Sequence, residues 1–130
     1  MKGDNMHDIG IDLGTTNVLI YIRKKGIVLN EPSMIAKNTK NNKIIAIGNE
    51  AKEMLGKTPE NVEIIRPMKD GVIADFTATC LMLKNMFKKV CKKYNVGKPR
   101  VVVGVPSGIT EVEERAVEET ISQAGAKEVY

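Results

Sequence analysis

The sequence predicts an α/β fold: a mixed central sheet with flanking helices, plus a small α+β unit set to one side. Three observations carry this reading. The first 30 residues alternate short apolar runs with tight polar turns, the pattern of a strand meander. Two stretches long enough for helices, about 76–94 and 111–124, flank an unbroken valine-rich run at 100–105. Pro32 and Pro67 bracket residues 33–67, whose shorter runs read as a smaller unit inserted into the larger one (1–32 and 68–130).

Strands are expected at about 8–13, 17–23 and 26–30, with Gly14-Thr15-Thr16-Asn17 as the first turn and Lys24-Lys25-Gly26 as the second. Pro32 forbids a simple continuation of the third strand. Residues 33–37 and 44–48 are short apolar runs either side of the polar turn Asn38-Thr39-Lys40-Asn41-Asn42, and residues 49–55 read as a short helix that Gly56 ends. The apolar run 62–65 leads to Arg66-Pro67, and Val72-Ile73-Ala74 follows Asp70-Gly71. Over 76–94, Leu83, Met86, Phe87, Val90, Cys91 and Tyr94 recur at three- and four-residue steps as a core-facing stripe, with Lys84, Lys88, Lys89, Lys92 and Lys93 on the outer face. Val101-Val102-Val103-Gly104-Val105 suits a central strand buried on both faces. Thr110-Glu111-Val112-Glu113 is a capping box that opens a second helix. Its early glutamates suit the positive end of the helix dipole, and Gly125 stops it. Glu128-Val129-Tyr130 opens a further strand, as expected of a truncated piece of a longer protein.

Length and composition exclude several classes. A chain of 130 residues is one domain, or one lobe of a larger one. Its 20 basic and 16 acidic residues leave +4, a mild bias that gives no ground for a nucleic-acid partner. No apolar run approaches the ~20 residues of a membrane span, and the polar Met1–His7 stretch lacks the apolar core of a signal peptide. A cytoplasmic location is expected. Cys80 and Cys91 fit that compartment: on one helix they would lie about 16 Å apart along the axis. That is beyond the ~7 Å Cα separation a disulfide tolerates, so they are expected to be reduced core residues. His7 is the single histidine, which leaves a histidine metal site or a Ser/His pair little to work with.

The most informative segment is Ile9-Gly10-Ile11-Asp12-Leu13-Gly14-Thr15-Thr16-Asn17. An apolar strand runs into an Asp and a tight turn, and a second apolar run follows. Successive backbone N–H groups in such a turn can cradle a phosphate. Gly14 lets the backbone come close, and Thr15, Thr16 and Asn17 add side-chain donors. Asp12, at the strand end, is placed to hold a magnesium ion through its waters, because Mg²⁺ gives up its hydration shell reluctantly. The same pattern also suits an ordinary turn, with Asp and Asn bonding their own backbone.

Other constellations yield less. Lys88, Lys89, Lys92, Lys93, Lys98 and Arg100 form a basic cluster that suits either an anionic lipid surface or the solvated face of an amphipathic helix. Tyr94 and Val96 are the apolar residues there that could dip into a membrane interface. Dipole complementation and solvation account for Glu111, Glu113, Glu114, Glu118 and Glu119 without acid–base chemistry. Ser107 follows a strand, as nucleophilic serines often do, but lacks the Gly-x-Ser-x-Gly frame and a base. Its loop can instead wall the phosphate pocket. The methionines, Met34, Met54, Met68, Met82 and Met86 among them, read as core filler.

Together these residues resemble a known family. Asp12-Leu13-Gly14-Thr15-Thr16-Asn17 is similar to the first phosphate loop of the actin-like ATPase superfamily. Four further segments resemble the MreB/Mbl bacterial actin homologues: GIVLNEPS at 26–33, EAKEMLGKTP at 50–59, IRPMKDGVIADF at 65–76 and VGVPSGITEVE at 103–113. The resemblance implies an actin-like (ribonuclease H-like) lobe, with residues 1–32 and 68–130 as its larger subdomain, 33–67 as its small outer subdomain, and the second lobe absent. It implies ATP and Mg as cofactors, with Gly14, Thr15, Thr16 and Asn17 on the phosphates and Asp12 on the magnesium side. It also implies self-assembly into filaments, partnership with the cell-wall elongation machinery, a place at the inner face of the plasma membrane, and a role in rod shape. Many members carry Ala where Thr16 stands, and some carry an N-terminal amphipathic helix that Met1–His7 does not resemble. The family's hydrolytic glutamate would follow Tyr130, so no catalytic residue is assigned in this chain, and these residues alone are expected to bind ATP poorly and hydrolyse it negligibly. Two alternatives stand beside this reading: a chaperone-type or kinase-type ATPase of the same superfamily, and a filament-interaction module that uses no nucleotide.

Overall fold

The computed structural model describes residues 8–57 and 60–130. The N-terminal meander forms as the alternation dictates: β1 (Asp8–Leu13), β2 (Asn17–Ile22) and β3 (Gly26–Pro32) are consecutive antiparallel strands. β3 runs through Pro32, two residues further than the sequence suggested. It is the edge strand of its sheet, so the missing proline N–H leaves no ladder bond unmade. A second sheet holds β4 (Ile35–Asn38) between β5 (Ile44–Ile47) and β6 (Val62–Ile65), with the short α1 (Asn49–Glu53) against it. Met34, Ala36 and Ala51 are its buried centre. β7 (Met68–Lys69) and β8 (Val72–Ile73) pair as a small hairpin around Asp70 and Gly71.

Two helices complete the larger unit. α2 (Phe76–Lys93) starts at Asp75, whose carboxylate accepts from the Ala78 N–H at 3.0 Å. α3 (Glu111–Gln123) starts at the Thr110–Glu113 capping box, with both reciprocal bonds formed, at 3.1 and 3.0 Å. Between them β9 (Arg100–Gly104) lies parallel to β1, and β10 (Glu128–Val129) lies parallel to β9. The five-stranded sheet therefore runs β10-β9-β1-β2-β3, mixed parallel and antiparallel.

Ile9, Ile11 and Leu13 of β1, Val18, Ile20 and Ile22 of β2 and Val101 of β9 point to one face. There they meet Met82, Leu83, Met86, Phe87 and Val90 of α2 and Val117 and Ile121 of α3. Each such side chain, once buried, contributes about 1.5–3 kcal/mol. The expectation that β9 is buried on both faces is corrected here: Val101 is buried but Val102 is 59% exposed. Both helices pack on the same side of the sheet, so among the described residues nothing covers the other face. Cys80 and Cys91 are free thiols, half-buried at the edge of the core. No helix among the described residues is long and apolar enough to cross a membrane.

Candidate functional site

The candidate site lies where β1 and β9, running parallel, both end. Asp12 is the last open-face residue of β1, paired with Leu19 on one side and Gly104 on the other. Its side chain is exposed, and the space beside it is clear because Gly104 has no Cβ; one built there would lie 3.9 Å from Asp12 Oδ1. Among the described residues no cation pairs with Asp12.

The turn that follows is tight and held from outside. The Gly14 N–H donates to the Asn17 carbonyl at 3.1 Å, closing the reversal. A Cβ on Gly14 would sit 2.6 Å from that same carbonyl oxygen, so no other residue fits without moving backbone. Two distant segments pin the turn. Ser33, fully buried just past β3, donates its hydroxyl to the Gly14 carbonyl at 2.7 Å and its N–H to the Thr16 carbonyl at 2.9 Å. From the β7–β8 hairpin, the Gly71 N–H donates to Thr15 Oγ1 at 3.2 Å. That bond uses the hydroxyl as acceptor and leaves its hydrogen free to donate elsewhere. Gly71 itself sits at φ +77°, a conformation that favours glycine.

The loop after β9 closes the third side. Gly108 approaches so near Gly71 that a Cβ would lie 3.0 Å from the Gly71 carbonyl and 2.8 Å from Val72 Cγ1. Thus the turn 14–16, the hairpin tip 70–71 and the loop 105–110 converge on one end of the sheet. Thr16 is exposed there. Asn17 differs from its neighbours: its amide Nδ2 donates to Asn30 Oδ1 at 2.8 Å across β2 and β3, which leaves one amide hydrogen uncommitted. Ser107 is exposed on the third loop, and the histidine it would need, His7, lies outside the described residues.

Sequence reasoning missed Ser33 and Gly71 as supports of the turn. Nothing local marks them, since they stand 19 and 56 residues from their partners. It also missed Glu31, a buried carboxylate that accepts from Lys89 Nζ and, at 3.0 Å, from the Asn49 N–H at the start of α1.

The basic cluster is partly committed to internal contacts. Lys89 pairs with Glu31, Arg100 pairs with Asp8 at 2.9 Å, and Lys93 lies 5.6 Å from the centroid of the Tyr94 ring. Lys88, Lys92 and Lys98 are exposed. Val96, expected as an apolar tip, instead packs into the core, and Tyr94 is half-buried. Partial desolvation pushes the Asp8 carboxyl up, but the Arg23 and Arg100 guanidiniums together hold it below its ordinary value. Burial pushes the Cys91 thiol up to about 11, so it stays protonated and unreactive near neutrality.

Against known proteins, the family described as MreB/Mbl protein matches residues 6–130. The chain is 51% identical over 123 residues to the cell shape-determining protein Mbl of Bacillus subtilis, covering 95% of this chain and 37% of that protein. It is 48% identical over 134 residues to the cell shape-determining protein MreB of Escherichia coli, covering 99% and 39%. MreB5 of Spiroplasma citri, solved bound to ADP and to AMPPNP, superposes with TM-scores of 0.78 and 0.76 at 40% and 41% identity, over 95% of this chain and 37% of that one. The chain thus spans well under half the length of each of these relatives.

Proposed function

Because this chain belongs to the MreB/Mbl family and folds as an actin-like lobe, we propose that it is the first lobe of an ATP-binding filament protein that determines cell shape. The observation that carries the nucleotide part is the turn after β1: the Thr15 and Thr16 N–H groups carry no hydrogen bond among the described residues, and they stand beside the exposed Asp12 carboxylate, which no described cation pairs. Similar proteins bound to ADP and AMPPNP support the same reading.

In this reading Gly14, Thr15, Thr16 and Asn17 contact the phosphates. The Gly14 N–H is spent on the Asn17 carbonyl, so the N–H groups of Thr15 and Thr16 face the charge, the Thr15 hydroxyl adds its free hydrogen, and Asn17 its uncommitted amide hydrogen. Asp12 suits a magnesium ion held through water. Among the described residues no group of three metal-ligating side chains gathers, so phosphate oxygens and water would fill the remaining positions. Magnesium held there would neutralise phosphate charge. No residue of this chain is assigned to hydrolysis.

The larger subdomain comprises 1–32 and 68–130 and the small outer one 33–67, a division supported by the separate sheet and centre of β4, β5, β6 and α1. Partners in this reading are further copies in a filament and the cell-wall elongation machinery, in the cytoplasm at the inner face of the plasma membrane. The exposed lysines of α2 supply positive charge towards that surface.

Titration of the 130-residue chain with magnesium and ADP or AMPPNP, followed by amide NMR, tests the nucleotide part. Shifts are expected at Gly14, Thr15, Thr16 and Asn17, and Asp12→Asn should weaken the magnesium-dependent component about tenfold. Shifts confined to other surfaces, or none with nucleotide raised to tens of millimolar to meet the weak binding expected of one lobe, would sink the reading.

A further inference from the structure

We propose that Ser33 is the positioning residue of the phosphate turn, and that through it the turn is mechanically joined to the small three-stranded unit. This rests on the nucleotide reading above and adds to it a route by which occupancy of the turn reaches another part of the lobe.

The geometry is a continuous run of short bonds. Ser33 is fully buried and is the residue at which the chain leaves the large sheet for the small one. Its hydroxyl and its N–H hold two carbonyls of the turn, those of Gly14 and Thr16, at 2.7 and 2.9 Å. Those two bonds span the turn, so a shift of either carbonyl must displace Ser33 or break a buried bond. Ser33 cannot give way alone. The next residue, Met34, accepts from the Gly48 N–H at 2.8 Å, and Gly48 caps α1. On the other side, Glu31 accepts from the Asn49 N–H and from Lys89 of α2. The corner 31–34 is therefore fastened at once to the turn, to the start of α1 and to the C-terminal part of α2.

Packed segments tied in this way move as discrete units rather than by continuous deformation. A ligand that draws the turn's free N–H groups outward carries the Gly14 and Thr16 carbonyls with them and pulls on Ser33, and the pull is delivered to Gly48 and Asn49. By the same linkage, a contact that shifts the small unit alters the turn's affinity for its ligand.

The test uses the 130-residue chain, amide NMR, and AMPPNP with magnesium as the probe. In the wild type, shifts are expected at Gly14, Thr15 and Thr16 and also at Met34, Gly48 and Asn49. Ser33→Ala, which removes the Oγ bond and keeps the N–H bond, should bind about tenfold more weakly. It should also speed hydrogen exchange at the turn in the absence of nucleotide, and lose the shifts at Gly48 and Asn49. Loss of core packing alone would lower melting temperature without this selective pattern. Wild-type shifts at the turn together with unchanged affinity and unchanged distant shifts in Ser33→Ala would overturn the role of Ser33 and leave the nucleotide reading standing. No wild-type shift at the turn would remove both. Should Ser33→Ala fail to fold, Glu31→Ala, which removes the oxygen that accepts from the Asn49 N–H, reads the same linkage from its far end. The turn should still respond, with the response at Asn49 at least halved; an undiminished response there refutes the linkage.

Discussion

β2 ends in a tight turn at each end, and the two turns are held in opposite ways. The backbone of the β2–β3 turn is set locally: the Lys25 N–H donates to the Ile22 carbonyl at 2.9 Å and the Arg23 N–H to the Asp8 carbonyl of the adjacent strand at 3.0 Å, while the Lys25 ammonium lies loosely over the Tyr94 ring, 6.0 Å from its centroid. Lys24 adopts φ +76° there, a conformation L-residues rarely hold. The β1–β2 turn, in contrast, takes bonds from Ser33 and Gly71, far away in sequence. A turn that only reverses the chain can be shaped by its own residues. A turn shaped by two distant segments has a geometry that matters to something besides the reversal.

The sharpest way to break this comparison is Gly14→Val. The new Cβ would meet a backbone carbonyl at 2.6 Å, and backbone cannot swing aside as a side chain can. We expect a loss of roughly 1–3 kcal/mol in urea unfolding, with the nucleotide response of the turn abolished. A variant that folds and responds like the wild type would mean the turn is not as closely set as its bonds require.

Lys24→Gly examines the other turn. Relief of the positive φ, worth about 1–2 kcal/mol, is opposed by about 0.5–1 kcal/mol of glycine entropy. A small gain in thermal stability is expected with no change in nucleotide response. A weakened response would erase the distinction between the turns.

The smallest effect should come from acid. Asp8, beside the β2–β3 turn, has its carboxyl held below its ordinary value of 3.8 by Arg23 and Arg100. A lowered folded value means that the contribution of these pairs is complete above that pH and is lost as pH falls through the folded value. The pairs are exposed, so the contribution is modest. Arginine side-chain NMR signals of Arg23 and Arg100 should shift over that window while the Gly14 and Thr16 amides stay fixed; movement of both together would show that the two ends of β2 are coupled.

Much of the fold was legible because its signals are local. Strand alternation in residues 8–32, the three- and four-residue stripe of α2 and the capping box at Thr110 each depend on neighbours within a turn or two, and each was found in place. The composition of the candidate turn was equally readable, since Asp12 and Gly14–Asn17 are contiguous. What was not legible depends on partners far along the chain. A run of valines reads the same whether one face or two are covered, so the exposure of Val102 could not be foreseen. Ser33 and Glu31 are ordinary residues in an ordinary-looking corner; their burial and their partners exist only once β3, α1 and α2 have met.

The parallel pairing of β1 with β9 has a consequence for how the chain is made. Asp8 meets Arg100, 92 positions further along, so the middle of the large sheet closes late, after a long loop has been drawn in. The β1–β2–β3 meander can form within microseconds of its own synthesis. At about 5–20 residues per second, the ribosome then needs roughly 4–14 s to deliver β9. For that interval the β1 edge stands unpaired, open to any chaperone or neighbouring nascent strand within reach.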